Sequence, residues 1–362
     1  MTYLNIAEVD SAAVNLSHAY PGLCELVELP ETSIEGVACH ALRMGVSSDG
    51  DRDCAVLIGG VHAREWGSCE ILVDFAADLL EAYKSRSGLR YGRKSFTAAE
   101  VRTLLEDLNI VVFPLVNPDG RRYSQTVEPM WRKNRNPAHA PAGHNGDCVG
   151  VDINRNYDFL FDAAKAFSPT AGVRVSSDPC DPQVYQGPYA FSEPETRNVR
   201  WLLEKKFPHT RWFVDVHSYS QDMLYAWGDD EDQSDDDSMT FRNPDYDGSR
   251  GLAGDTGYRE YIPKEDLDSA TALARSFSGA LHDVRGTEYT PKSSFDLYPT
   301  CGTSDDYAFS RYFTDDKKEK ILAYTIEWGT EFQPQWAEME KIIKDVSAGL
   351  LQFCLSAAAV AR

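Results

Sequence analysis

Several signals are missing from this 362-residue chain, and each absence removes a class of protein. No uninterrupted apolar run reaches the ~18–20 residues of a membrane-spanning helix. The nearest, residues 350–361, is broken by Gln352 and Ser356. The first fourteen residues carry acids where a secretory leader has a basic start and an apolar core. The expectation is a chain without an export signal, cytoplasmic by default, with secretion left open. Cysteine is sparse, with eight residues and no CxxC, which removes small disulfide scaffolds, ribbon-type zinc sites and thioredoxin-like pairs. Cys24, Cys39, Cys54 and Cys69 recur every 15 residues, but their neighbours do not, so the interval marks no repeat. Basic residues are outnumbered 36 to 57, a net charge of −21. Such a surface repels nucleic acid and anionic lipid and draws in cationic ligands. HExxH is absent, which excludes a thermolysin-like centre, and the lack of GxSxG weakens a serine-hydrolase reading.

What is present suits a folded enzyme-sized domain. Hydrophobic residues make up 42% and charged residues 26%, close to globular averages of ~45–50% and ~25%, so the chain can bury a core. Short apolar runs alternate with helical patterns, the mark of an α/β fold. Strands are expected at 25–29, 55–61, 110–116, 212–217 and 323–328, most of them continuously apolar, as in a sheet covered on both faces. Helices are expected at 69–83, 98–107, 194–206, 263–282 and 334–355. In the last, Trp336, Met339, Ile343, Val346, Leu350 and Phe353 recur three or four residues apart. No linker divides the chain, so one domain over 1–362 is expected. The compositional break is 228–247, where residues 229–237 read DDEDQSDDD. Seven of those nine are acidic, which predicts a solvated loop; the spacing and glycine of an EF-hand are missing.

The chemistry starts after the run 55–61, in GGVHAREWGSCE. His62 and Glu65 lie three apart on a glycine-flanked loop at a strand end, where open α/β sheets place their sites. An imidazole and a carboxylate one turn apart can share a metal; a catalytic zinc site needs one more ligand and an open position. An HxxE alone is weak, and His217, which ends the apolar run WFVDVH, reads by itself more readily as a hydrogen-bonded structural histidine than as a ligand.

The ordered motifs carry more. HAREW (62–66), NPDG (117–120), WRKNR (131–135), GVDINRNYDF (150–159), FSEPET (191–196), HSY (217–219), YPTCGTSDDY (298–307) and YTIEWG (324–329) follow in series. The chain resembles the zinc carboxypeptidases of the carboxypeptidase A/B family over roughly residues 20–353. That resemblance implies a mixed, mostly parallel twisted sheet flanked by helices on both faces, and one Zn2+ per chain held by His62, Glu65 and His217, the two-histidine, one-glutamate set of carboxypeptidase A itself. It implies Glu327 as general base, Arg132 as oxyanion stabiliser and Asp152 as the acid orienting a zinc-bound histidine. Asn154, Arg155 and Tyr298 match the residues that receive a substrate's terminal carboxylate. Asp305 falls where B-type enzymes carry an aspartate and A-type enzymes an apolar residue, which implies a preference for terminal Lys or Arg. The implied partners are peptide or protein C-termini, with no nucleic acid, no membrane, and a monomer by default. A specialised amidase or deacylase, or an inactive zinc-binding protein on the same fold, are the alternatives.

Departures from the family pattern set further expectations. His62 comes so early that residues before it fit first strands and leave no room for an inhibitory prodomain. The 81 residues from His217 to Tyr298 are a long interval, with an acidic insertion at 228–262. Cys148 and Cys180 match a family disulfide; spatial proximity is expected, with the oxidation state open. His139 and His144 lie in a Pro/Gly-rich stretch expected to be an exposed rim loop.

Overall fold

The computed structural model of the protein describes residues 2–46, 52–143, 146 and 148–360. The chain forms, in order, β1 (Cys24–Glu28), β2 (His40–Met44), β3 (Cys54–Gly59), the hairpin strands β4 (Leu89–Tyr91) and β5 (Lys94–Phe96), then β6 (Asn109–Phe113), β7 (Thr210–His217) and β8 (Asp222–Tyr225). The short pair β9 (Asp232–Gln233) and β10 (Glu260–Tyr261) precedes β11 (Thr290–Ser293) and β12 (Leu322–Glu327). Eight of these make one sheet in the order β1-β2-β6-β3-β7-β12-β8-β11. Its centre, β6-β3-β7-β12, is parallel, and antiparallel pairings attach β2 to β6 and β8 to β12. Every residue of β3 and β6 is buried, which is why those strands read as unbroken apolar runs.

Helices cover both faces. On one side α2 (Gly67–Ser85), α3 (Ala98–Asp107), α7 (Lys264–Arg285) and α9 (Trp336–Val360) share a core with Leu57, Val112, Val214 and Ile326. On the other, Val56, Ile58, Val111 and Phe213 pack with Tyr307 and Phe309 of α8 (Ser304–Thr314) and with residues following α6 (Pro194–Trp201). Met339, Val346, Leu350 and Phe353 of α9 are fully buried. Each contributes at most ~1.5–3 kcal/mol on the usual area scale. By length and composition α9 could cross a membrane, but 72% of its most apolar stretch is buried inside the fold, so it is a core helix.

The anticipated strands and helices recur to within a few residues at most ends, and 194–206 is α6 followed by a π turn at Leu202–Lys206. The residues before His62 supply the first strands β1, β2 and β3, and ahead of them lies a helix for which the sequence set no expectation, α1 (Ile6–Ala19). Asn5 accepts from the amides of Ala7 and Glu8, while Glu8 Oε2 accepts from the Asn5 amide, a reciprocal cap that starts the helix. One expectation fails: the acidic stretch is not uniformly solvated. Asp235, Asp236 and Asp237 are exposed, but Asp229 and Asp230 are buried. Asp230 accepts from the amides of Gly251 and Glu231, partners that composition does not reveal. The connecting helices α4 (Pro118–Thr126) and α5 (Ala163–Ala166) complete the fold.

Candidate metal centre and catalytic site

The parallel register does most of the positioning. Glu327 lies opposite His217 across β12 and β7, and Gly59 lies opposite Val216 across β3 and β7. Three neighbouring strands therefore end at one edge of the sheet. Beyond β3 the chain turns at Gly60, with φ +64°; a Cβ there would meet Cys69 Sγ at 2.9 Å. Glycine is needed for both reasons. Asn117 braces the turn, donating to the carbonyls of Val61 (3.0 Å) and Lys133 (3.2 Å), and the Ala63 amide donates to the Arg132 carbonyl at 3.0 Å. The NPDG and WRKNR motifs thus hold the loop that carries His62 and Glu65.

At this edge His62, Glu65 and His217 converge, all buried. His62 Nδ1 is 2.8 Å from Glu65 Oε1, His217 Nδ1 is 2.9 Å from Glu65 Oε2, and the two Nδ1 atoms are 3.0 Å apart. Donors ~2.0–2.1 Å from one tetrahedral zinc stand about 3.3 Å from each other. The three donors already converge to within a few tenths of an ångström of that spacing, and the imidazole–imidazole–carboxylate chemistry fits Zn2+. Among the described residues this is the one such group found. Burial alone would raise the Glu65 carboxyl, but the two histidines outweigh it and hold the group well below the usual range.

Each histidine meets an aspartate on its far side. His62 Nε2 is 3.2 Å from Asp152 Oδ1, and Asp152 Oδ2 accepts from Arg132 Nε at 3.0 Å. Burial opposes the charge on Asp152, but Arg132 and His62 override it and depress its pKa. His217 Nε2 is 2.9 Å from Asp215 Oδ2. Asp215 went unnoticed in the sequence, although an acid inside the apolar run WFVDVH was a signal to follow.

Glu327 keeps partial exposure at the end of β12. Burial and then the charge of Glu65 push its pKa up to about 8; a cation between the histidines would pull it back down. Opposite it on β8 lies Asp222, whose Oδ2 is 3.0 Å from Lys292 Nζ. Asn154 Oδ1 accepts from the Ser304 amide at 2.8 Å, and Arg155 is buried with its Nε donating to the Arg174 carbonyl. Gly302 is obligatory beside it, since a Cβ there would strike the Arg155 carbonyl oxygen at 2.3 Å. Tyr298 is partly exposed, with the Arg174 guanidinium 4.9 Å above its ring. In the first turn of α8, Asp305 is buried and accepts from Ser294 Oγ (3.1 Å), Thr325 Oγ1 (3.0 Å) and the Asp306 amide (3.0 Å). Behind it stand Asp306 and Asp229, both fully buried and both pushed far up, first by burial and then by neighbouring acids.

The remaining expectations divide. Cys148 and Cys180 are joined in a disulfide. His139 is partly buried, 3.3 Å from Glu193 Oε1, rather than on a fully exposed rim. His144 lies outside the described residues. FSEPET is a structural lock, as Glu193 Oε2 accepts from Asn134 and Asn136 of the segment following Arg132.

Comparison with known proteins bears on this geometry. The zinc carboxypeptidase profile matches residues 9–349. Carboxypeptidase B of Astacus astacus is 30% identical over 308 residues, 85% of this chain and 82% of that protein. A protein of Talaromyces stipitatus named an inactive metallocarboxypeptidase is 31% identical over 58% of this chain and 32% of its own length. The structure of bovine thrombin-activatable fibrinolysis inhibitor in complex with tick carboxypeptidase inhibitor superposes with a TM-score of 0.72, covering 100% of this chain and 99% of that one at 21% identity, a likeness of fold. With a profile match across most of its length and the His-Glu-His group in place, the chain belongs to the zinc carboxypeptidase family of metallocarboxypeptidases.

Proposed function

We propose that this enzyme removes the C-terminal residue of peptides, with a preference for lysine and arginine, using Glu327 as its general base. The observation that carries the catalytic reading is the in-register placement of Glu327 beside His217, with His62 and Glu65 arriving from the next strand. His62, Glu65 and His217 would hold Zn2+, which when bound would serve as a Lewis acid and make a water nucleophilic near neutral pH. Glu327 takes the proton of the attacking water and returns it to the leaving amine, and its place in register beside His217 puts it within reach of that water. Arg132, oriented by Asp152, donates to the developing oxyanion. Asn154 and Arg155 receive the terminal carboxylate, and Tyr298 covers it.

Specificity follows from Asp305. The three donors to this buried carboxylate are all neutral, so a guanidinium or ammonium would supply the counter-charge they lack, and an apolar side chain would not. The net charge of −21 adds long-range attraction for cationic substrates. The Cys148–Cys180 bridge favours an oxidising compartment over the cytosolic default, because such bonds are reduced in most cytosols.

The test is release of the last residue from matched blocked dipeptides ending in Arg and in Phe, with and without a chelator. Chelator-sensitive cleavage faster on Arg is expected. Faster cleavage of Phe removes the specificity claim. No cleavage by zinc-loaded protein favours an inactive relative such as the one from Talaromyces stipitatus.

A further inference from the structure

Asp215 sits on β7 two residues before His217, on the same face of the strand, and is wholly buried. Its Oδ2 lies 2.9 Å from His217 Nε2 and accepts from Ser304 Oγ at 2.7 Å. Across the sheet Thr325 is its register partner, and Thr325 Oγ1 donates to Asp305. Ser304 opens α8, donates its amide to Asn154, and is followed directly by Asp305.

We infer that Asp215 is a positioning residue that fixes His217 with Nδ1 toward the metal and ties that ligand to the head of the helix carrying Asp305. The inference rests on the zinc reading above. A histidine whose distal nitrogen faces a buried carboxylate is held in one tautomer and one ring orientation, and its metal-facing nitrogen gains basicity. Asp152 does this for His62; Asp215 is its counterpart on the second histidine, so both imidazoles are braced from behind. A lone buried carboxylate in an apolar strand is costly, and its two contacts are the metal ligand and the start of α8.

The experiment measures zinc dissociation by exchange into a fluorescent chelator for the native protein, Asp215→Asn, Asp215→Ala and Ser304→Ala, each with a thermal melt of its metal-free form. Asp215→Asn keeps the shape and removes the charge, so it remains informative if Asp215→Ala fails to fold. Zinc affinity is expected to drop ~10–100-fold in Asp215→Asn. In Ser304→Ala, where the aspartate–histidine contact persists, it is expected to stay within about twofold of native. Unchanged affinity in Asp215→Asn overturns the inference, as does an equal loss in Ser304→Ala, which assigns the effect to packing. A native protein that binds no zinc overturns the function proposed above as well, which separates the two failures.

Discussion

Glu327→Gln is the sharpest substitution in the site. It preserves size and leaves His62, Glu65 and His217 intact, so zinc content by atomic absorption should be unchanged while kcat falls ~10²–10⁴-fold. A kcat within tenfold of native would remove Glu327 from the mechanism. Asp305→Leu should invert the ratio of kcat/KM between Arg-ended and Phe-ended dipeptides, and an unchanged ratio would discard the specificity reading. The same change strands the hydroxyls of Ser294 and Thr325, so urea unfolding should show a loss of about 1–3 kcal/mol. Asp305 was legible because it stands inside a long motif, whereas Asp215 stood alone among apolar residues and its partners come from elsewhere in the chain.

Among the elements, α2 shows how the loop bearing Glu65 is anchored. Arg121 of α4 is buried, donates to the Trp66 and Leu4 carbonyls, and pairs with Glu70 of α2 at 3.0 Å. Arg121→Met leaves Glu70 buried and unpaired, for an expected destabilisation of ~3–5 kcal/mol in urea melts. Asn5→Ala, at the exposed cap of α1, should cost only about 1 kcal/mol. The central strands could be read because both their faces are covered and they are continuously apolar. β2, β8 and β11 could not: β11 is an edge strand reading TPKS, and β8 begins with the acid that pairs with Lys292. The acidic stretch misled for a related reason. Composition reports average solvation, while Asp230 is buried by two specific backbone amides and Asp229 by the fold around it.

At the scale of the whole molecule, buried acids set the dependence of stability on pH. Burial and then Glu193 push Glu195 up to about 8, and burial raises Asp74 and Asp230 to about 6. Between about pH 4 and 8 the folded chain therefore holds protons that the unfolded chain has released, and stability falls as pH rises through that window. Asp152 and Glu65 act oppositely: their depressed pKa values stabilise the fold above the unfolded carboxyl value of ~4, a contribution lost on further acidification. The metal-free protein should melt at a higher temperature at pH 5.5 than at pH 8.5, and Glu195→Gln should flatten the alkaline side; a midpoint that rises toward pH 8.5 would contradict this. The edge where β3, β7 and β12 end has a further consequence. Its two histidines are 155 residues apart, and Glu327, the proposed base, arrives on the last strand to be made. A chain that has not yet paired β12 with β7 therefore has no complete site, and the three-residue metal group forms only once β3 and β7 lie side by side.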